Sequence, residues 1–238
     1  MGEGKIFAFE SMGLVDGPGI RSVVFFSGCS LRCRYCHNPE SWNINAGETV
    51  SADGLMRKIV RFRPYFERSG GGVTFSGGEP LLQPEFLTEM LSLCKKEGIH
   101  TCIDTAGAGA GDYERILGLA DLVLLDVKAV GAEKYRGLCG GDVSEPERFM
   151  SALAKSGKPA IVRRVVIPGF DDSERDMEEL KAYIAEKVPT AKAVELLPYH
   201  KSGEHKYKKL GLFPALADVP QMPREKTQEL WNKYFSGR

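Results

Sequence analysis

The sequence predicts an α/β fold, a partial (β/α)6 barrel of parallel strands with its active site at the C-terminal mouth. Three observations lead there. Short apolar and β-branched runs alternate six times with amphipathic stretches, the pattern of βα units in series and so of a parallel sheet with right-handed crossovers. Runs such as Leu122-Val123-Leu124-Leu125 are continuously apolar, as strands covered by helices are. Each run ends in a polar or glycine-bearing turn, and parallel order gathers those turns at one rim. Six units are too few to close an eight-stranded barrel, so the barrel is open. A doubly wound sheet is the competing arrangement.

The first strand is expected over Ser22–Phe26, followed by Gly28-Cys29. Ser51 then caps a helix running to about Arg61. The second strand is Gly72–Phe75, ending in Ser76-Gly77-Gly78-Glu79. Pro84 suits the first turn of the next helix, and Gly98 suits the position just past its end. The third strand, His100–Ile103, leads to Asp104-Thr105, and Asp112 begins a short helix. The fourth, Leu122–Asp126, carries Lys128 just beyond. A helix over Pro146–Ser156 precedes the fifth strand, Ile161–Ile167. Ser173 with Asp176 reads as a capping pair for a helix to Lys187. The sixth strand, Ala193–Leu197, ends in Tyr199-His200, and a last helix spans Arg224–Tyr234.

Composition narrows the function. The 238 residues hold 32 basic and 32 acidic side chains. That neutrality removes the simplest electrostatic case for nucleic acid or an anionic membrane as main partner. Hydrophobic residues are 42% and charged residues 27%, as in an ordinary globular chain. One domain over residues 1–238 is expected, since a chain this long buries roughly 70–75% of its unfolded surface. The N-terminus lacks the apolar core of a signal peptide and no run is long enough to span a bilayer, so a cytoplasmic location is expected. Six cysteines there are expected to be reduced.

Three of the six, Cys29, Cys33 and Cys36, form C-x3-C-x2-C. Clustered thiols in a reducing compartment point to metal or redox chemistry before disulfides. Iron–sulfur and zinc sites both use thiolates. Zinc would need a fourth ligand, for which His37 is adjacent. Cys33-Arg-Tyr-Cys36-His37 also has the haem-attachment spacing C-x-x-C-H, which belongs to exported proteins. Three thiols on one loop leave one iron of a four-iron cluster open, and an open position is what a catalytic site keeps. An electron-transfer iron–sulfur protein is the alternative class, but no cysteine lies between Cys36 and Cys94 to supply a fourth local ligand. Gly77-Gly78 lets backbone approach a ligand closely, and Asp104 and Asp126 put carboxylates at adjacent strand ends, suited to a hard cation. Cys94 and Cys102, in a helix and a strand, read as inert buried thiols.

The C-x3-C-x2-C loop with Tyr35 before its last cysteine resembles the signature of the radical S-adenosylmethionine (SAM) superfamily. Asp16-Gly17-Pro18-Gly19-Ile20-Arg21, Ser76-Gly77-Gly78-Glu79 and Leu197-Pro198-Tyr199-His200 extend the resemblance over nearly the whole chain, to glycyl radical enzyme activases of the pyruvate formate-lyase subtype. No cysteine falls between Trp42 and Gly72, so the ferredoxin-like insert of other activases is absent. The resemblance implies one [4Fe-4S] cluster on Cys29, Cys33 and Cys36, and SAM on its open iron. It implies that Gly77, Gly78 and Glu79 meet the methionyl amino group, with Asp126, Val127 and Lys128 beside the cofactor and Lys128 toward its carboxylate. Tyr35, His37 and His200 belong to the adenosine end, and Arg163 faces the cofactor. A monovalent cation, Na+ or K+, is implied at Asp104, Thr105, Asp126 and the Leu124 carbonyl. The implied partners are a glycyl radical enzyme, pyruvate formate-lyase or a relative, and flavodoxin or ferredoxin as reductant, with the chain a monomer. The chain departs from the family at Ala106-Gly107, where the family tends to have Asn-Gly, and through Val130–Ser144, which includes Cys139, and Arg148–Pro159.

Overall fold

The computed structural model describes residues 2–237. Its sheet has eight strands: β1 (Glu3–Gly13), β2 (Arg21–Phe26), β3 (Glu48–Ser51), β4 (Gly72–Gly77), β5 (Thr101–Thr105), β6 (Leu122–Asp126), β7 (Ala160–Val166) and β8 (Ala191–Pro198). The order is β3-β1-β2-β4-β5-β6-β7-β8. From β2 to β8 every pair is parallel. All six expected strands are therefore present, each within two residues of its expected ends. Their order runs one way, without the reversal of a doubly wound sheet, which decides for the open barrel.

Among the described residues nine α-helices flank the strands: α1 (Ala52–Ile59), α2 (Arg63–Ser69), α3 (Pro84–Lys96), α4 (Tyr113–Leu119), α5 (Ala132–Cys139), α6 (Ser144–Ser156), α7 (Glu174–Lys187), α8 (Glu204–Lys209) and α9 (Arg224–Tyr234). The caps are those the sequence offers. Ser51 accepts from Gly54 N, Asp112 from Arg115 N, and Ser173 and Asp176 form a full capping box. Successive helices α1, α3, α4, α6, α7 and α9 touch in that order around the outside.

Three helices and two strands go beyond the expected set. β1 pairs antiparallel with both β2 and β3, extending the sheet past the parallel set. β1 is half exposed along its length, so it lacks the apolar run that marks a covered strand. Gly4 makes room for Phe86 of α3, whose ring would overlap a Cβ there. Burying that ring is worth about 1.5–3 kcal/mol. α2, α5 and α8 have six to eight residues, too short for a clear helical period.

Side chains alternate across each strand. One face of β5–β7, carrying Ile103, Val123, Leu125 and Val162, joins the main core under the helices. On the other face Cys102, Leu122, Leu124 and Ile161 form a small separate apolar layer. Above that layer, on the same strand faces, come Asp104, Asp126 and Arg163. The inner face thus turns from apolar to charged toward the strand C-termini, where the site lies. Among the described residues, no helix is long and apolar enough to cross a membrane.

Candidate active site

Cys29, Cys33 and Cys36 line a cavity of about 290 Å³ at the C-terminal mouth, near the lower end of small-molecule sites, roughly 300–1,000 Å³. Backbone hydrogen bonds hold their loop. Gly28 N and Cys29 N donate to the Ser41 and Trp42 carbonyls at 2.7 and 3.2 Å. Cys36 N donates to the Cys33 carbonyl at 3.0 Å. Arg32 folds back onto the Cys29 and Leu31 carbonyls. Burial pushes the Cys29 thiol up to about 12 and raises Cys36 as well. The Cys33 thiol is raised first by a hydrogen bond with Cys139 and then by burial. Thiols so placed stay protonated until a metal displaces the proton.

The opposite wall is the turn after β4. Gly77 has φ +110°, and a Cβ on Gly78 would stand 2.1 Å from the Gly28 carbonyl oxygen. Only glycine lets this turn press against the start of the cysteine loop. Glu79 lines the cavity, but its carboxylate serves the loops. Its Oε1 accepts from Thr105 Oγ1 at 2.5 Å and Leu81 N at 3.2 Å, and its Oε2 accepts from Ala106 N at 3.0 Å. Glu79 therefore braces the glycine turn from within the cavity lining. Thr105 lines the cavity too, and its hydroxyl also accepts from Gly107 N at 2.8 Å, which leaves it one acceptor lone pair. Val127 is buried outside the cavity lining, its carbonyl accepting from Arg164 Nη1 at 2.9 Å. Leu124 belongs to the inner apolar layer and is likewise outside the lining.

Between these walls the rim carries two acids and two cations. Lys128 Nζ stands 2.6 Å from Asp126 Oδ2. Arg163 donates to Glu195 Oε2 at 2.9 Å and reaches within 3.9 Å of Asp104. Ser76, not singled out from sequence, donates to Asp104 at 2.7 Å. Below them the Gly13–Ile20 loop closes the inner face: the Val15 carbonyl accepts from Arg163, and the Asp16 carbonyl accepts from Thr74 Oγ1. A charge-balanced rim suits a ligand that carries both an ammonium and a carboxylate.

Burial, then Asp126, push Asp104 up to about 6. The sign follows from linkage. A carboxyl raised above its unfolded value favours folding most when protonated, so its contribution falls as pH rises from 3.8 to about 6. Asp104→Asn, which cannot ionise, is therefore expected to gain on wild type by on the order of 2 kcal/mol between about pH 4 and about pH 7. Denaturant unfolding of the cluster-free protein reads this directly. A constant difference across that range would mean that Asp104 ionises at its ordinary value.

The remaining side of the cavity is aromatic. Tyr35, His37 and His200 all line it. The two imidazoles meet edge to face with ring centroids 4.6 Å apart, and Ser202 Oγ bridges His200 Nδ1 and His37 Nε2 at 2.5 and 3.3 Å. Burial foremost, then His200, keep His37 below the ordinary imidazole value. Helix α8 supports this side: Tyr207 OH donates to the Cys36 carbonyl at 2.9 Å and Lys206 Nζ to Asn38 Oδ1 at 2.7 Å. Neither residue was nominated from sequence, and a lone Lys-Tyr pair carries no signal that would have done so. Trp42, also unnominated, lines the cavity with Arg32 stacked 5.1 Å from its ring centroid.

The three thiols on one cavity fit the thiolate ligands of an iron–sulfur cluster, whose irons sit at separate corners. His37 is committed to His200 and Ser202. Cys94 is buried on α3 with its Sγ 3.7 Å from Met56 Sδ of α1, and Cys102 is in the inner apolar layer. Both are inert buried thiols, as the sequence implied.

Comparison with known proteins agrees. Residues 23–180 match the Radical SAM superfamily model. A "Pyruvate formate-lyase-activating enzyme" of Clostridium pasteurianum is 52% identical over 98% of this chain and 97% of its own. One of Staphylococcus epidermidis with the same name is 39% identical over 99% and 97%. Among solved structures, a domain of a pyruvate-formate lyase-activating enzyme from Bacteroides vulgatus superposes with TM-score 0.55 at 25% identity, covering 68% of this chain and 92% of that one. A radical SAM methyltransferase from Sphaerobacter thermophilus shares the fold, with TM-score 0.60 at 17% identity over 89% of this chain and 62% of its own.

Proposed function

The chain belongs to the radical SAM superfamily, among its pyruvate formate-lyase-activating enzymes, and from that premise we propose that Cys29, Cys33 and Cys36 hold the [4Fe-4S] cluster and the facing rim holds SAM. When bound, the cluster supplies one electron that cleaves SAM to methionine and a 5′-deoxyadenosyl radical, which removes a hydrogen atom from a glycine Cα of the partner enzyme. The side chains do the rest by binding, orienting and excluding water. Gly77 and Gly78 open their backbone to the methionyl amino group. Lys128, steadied by Asp126, offers its ammonium to the carboxylate. Tyr35, His37 and His200 flank the adenosine, and Ser202 fixes the relative orientation of the two imidazoles. Arg163, anchored by Glu195, holds a positive charge beneath the ligand.

The reading includes a single domain without a second cluster, acting as a monomer in the cytoplasm on a glycyl radical enzyme, pyruvate formate-lyase first. Flavodoxin or a low-potential ferredoxin is the reductant. A groove lined by Arg32, Trp42 and Ile44 reaches Cys29 from outside the cavity, which supports electron entry there. A monovalent cation would rest on Asp104, Thr105, Asp126 and the Leu124 carbonyl, of which Asp104, Thr105 and Asp126 line the cavity.

One observation carries the proposal: three thiols of one loop face a glycine turn and a charge-balanced rim across one cavity. Anaerobically reconstituted protein tests it. Adding SAM is expected to change the electron paramagnetic resonance (EPR) spectrum of the reduced cluster, and strong reductant to yield 5′-deoxyadenosine. Adding pyruvate formate-lyase should then give a glycyl radical. A full cluster that yields no 5′-deoxyadenosine would reject the proposal.

A further inference from the structure

On the outer side of the cysteine loop lies an apolar groove, with Cys29, Arg32, Trp42, Ile44, Leu210 and Leu212 in its walls. Cys29 and Trp42 line the cavity as well, so the cysteine loop is the partition between the two. Ile44, Leu210 and Leu212 are 40%, 44% and 41% exposed, and Phe213, next in the chain, is 93% exposed. Single exposed apolar side chains need no explanation, but a set that shares one groove and is rimmed by charge marks an interaction site. Tyr207 holds the segment in place. Its ring packs edge to face on Trp42 with centroids 5.9 Å apart, its hydroxyl donates to the Cys36 carbonyl, and its own carbonyl accepts from Leu212 N at 2.9 Å. The charges here do not balance. α8 ends in Lys206, Lys208 and Lys209. Lys206 stands 3.6 Å from Glu40, the one acid of the groove wall. Lys208 and Lys209 are exposed, and Arg32 spends its hydrogen bonds on the Cys29 and Leu31 carbonyls. Among the described residues, three cations therefore stand here without a carboxylate.

We propose that this groove, with Lys208, Lys209 and Phe213 beside it, is the docking surface for the electron donor, a small carrier protein whose contact face is acidic around an apolar centre. The proposal deepens the reading above and rests on Cys29 being a cluster ligand. An apolar centre inside a polar rim is the anatomy of a protein interface. A cationic rim selects an anionic partner and speeds the encounter. The partition decides which partner this is. A glycine Cα has to enter the cavity to react, whereas an electron needs only closeness to a cluster ligand, and Ile44, Leu210 and Leu212 are outside the cavity lining. One electron leaves the docked carrier, which is oxidised by one, and reduces the cluster by one; no atom passes. The cavity mouth stays free for SAM and the glycine segment.

The test titrates an acidic flavodoxin and an acidic ferredoxin onto the cluster-free chain, beside turnover of the loaded one. At least one of them is expected to bind wild type. Lys208→Glu with Lys209→Glu, and separately Leu212→Ser with Phe213→Ser, should each weaken that binding about tenfold. The loss in the lysine variant should shrink at high salt, and the loss in the apolar variant should not. With titanium(III) citrate as reductant, both variants should form 5′-deoxyadenosine at the wild-type rate, and the KM for pyruvate formate-lyase should hold. If neither carrier binds wild type, or either variant binds as wild type does, the proposal is overturned while wild-type turnover leaves the site reading standing. A raised KM for pyruvate formate-lyase with carrier binding unchanged would give the surface to the substrate enzyme. A wild-type dimer that the apolar variant splits would give it to a second copy. Either result overturns the proposal. A fully loaded wild type that forms no 5′-deoxyadenosine even with titanium(III) citrate rejects the site reading, and the proposal with it.

Discussion

Cys36→Ala is expected to abolish 5′-deoxyadenosine formation while leaving the polypeptide folded. Cys36 is half-buried, and its backbone makes the local bonds: its N–H reaches the Cys33 carbonyl and its carbonyl accepts from Tyr207. Alanine keeps both. What is lost is one of three sulfurs, and the other thiols of the chain cannot replace it: Cys94 and Cys102 face elsewhere, and Cys139 is buried outside the cavity lining. Outer-shell changes at metal sites cost roughly 10–100-fold. Loss of a ligand from a set with no spare must exceed that, so activity should fall by more than about a hundredfold. Iron and sulfide per chain should fall with it, and the circular dichroism of the cluster-free protein should match wild type. Cys94→Ala is the matched control. It removes a buried thiol packed on Met56 and should cost about 1 kcal/mol with activity retained. Activity of Cys36→Ala within tenfold of wild type would mean that the cluster is held elsewhere.

How far the sequence could see is clearest at the rim. Parallel strands carry their C-terminal residues to one end whatever the packing, so the sequence alone puts Asp104, Asp126, Lys128 and His200 on the same side. Side-chain direction is another matter. Glu79 follows the two glycines and lines the cavity with them, while its carboxylate turns to Thr105 and Ala106. Nothing one-dimensional tells a carboxylate at a strand end whether to face the cavity or brace the loop. The missed elements have one cause in common. β1 and β3 lie beyond the covered parallel strands, β1 mostly half-buried and β3 mostly exposed, so neither carries a continuous apolar run, while α5 is bounded by Gly131 and Gly140, both at positive φ, which read as loop punctuation. Missing α5 also hid the backbone bonds that Arg32 and Arg34 donate to the Cys139 and Leu138 carbonyls at its end, since they join segments far apart in sequence. Arg163 sits in mid-strand and was found through the family resemblance alone, since an arginine in an apolar run has no periodic signature of a ligand contact.

Asp171→Ala is expected to be the most destabilising change outside the thiols, by about 3–5 kcal/mol. For a chain of this size that lowers the unfolding midpoint by roughly 6–20 °C. Arg164 and Asp171 form an ion pair in which each side chain is 5% exposed. Asp171 also accepts from Ile167 N at 2.6 Å, and Arg164 donates to the Val127 carbonyl at 2.9 Å. The pair therefore ties the turn after β7 to the exit of β6. Removing the carboxylate strands a buried guanidinium, and the loss should propagate to Asp126 and Lys128, the neighbours of Val127, weakening SAM binding. Burial raises Asp171 above the ordinary carboxylate value despite Arg164, so the desolvation cost exceeds the attraction. By linkage, a raised carboxyl contributes most when protonated, so the stability gap between wild type and Asp171→Ala should narrow as pH rises from about 4. At neutral pH the gap persists through the stranded Arg164. The double change Arg164→Met with Asp171→Leu should recover most of the loss, because it removes both charges together. Denaturant unfolding of the four proteins over pH decides it: a gap that widens with pH, or a double variant no better than Asp171→Ala, would mean that the pair is a net stabilising salt bridge and not a desolvated strut.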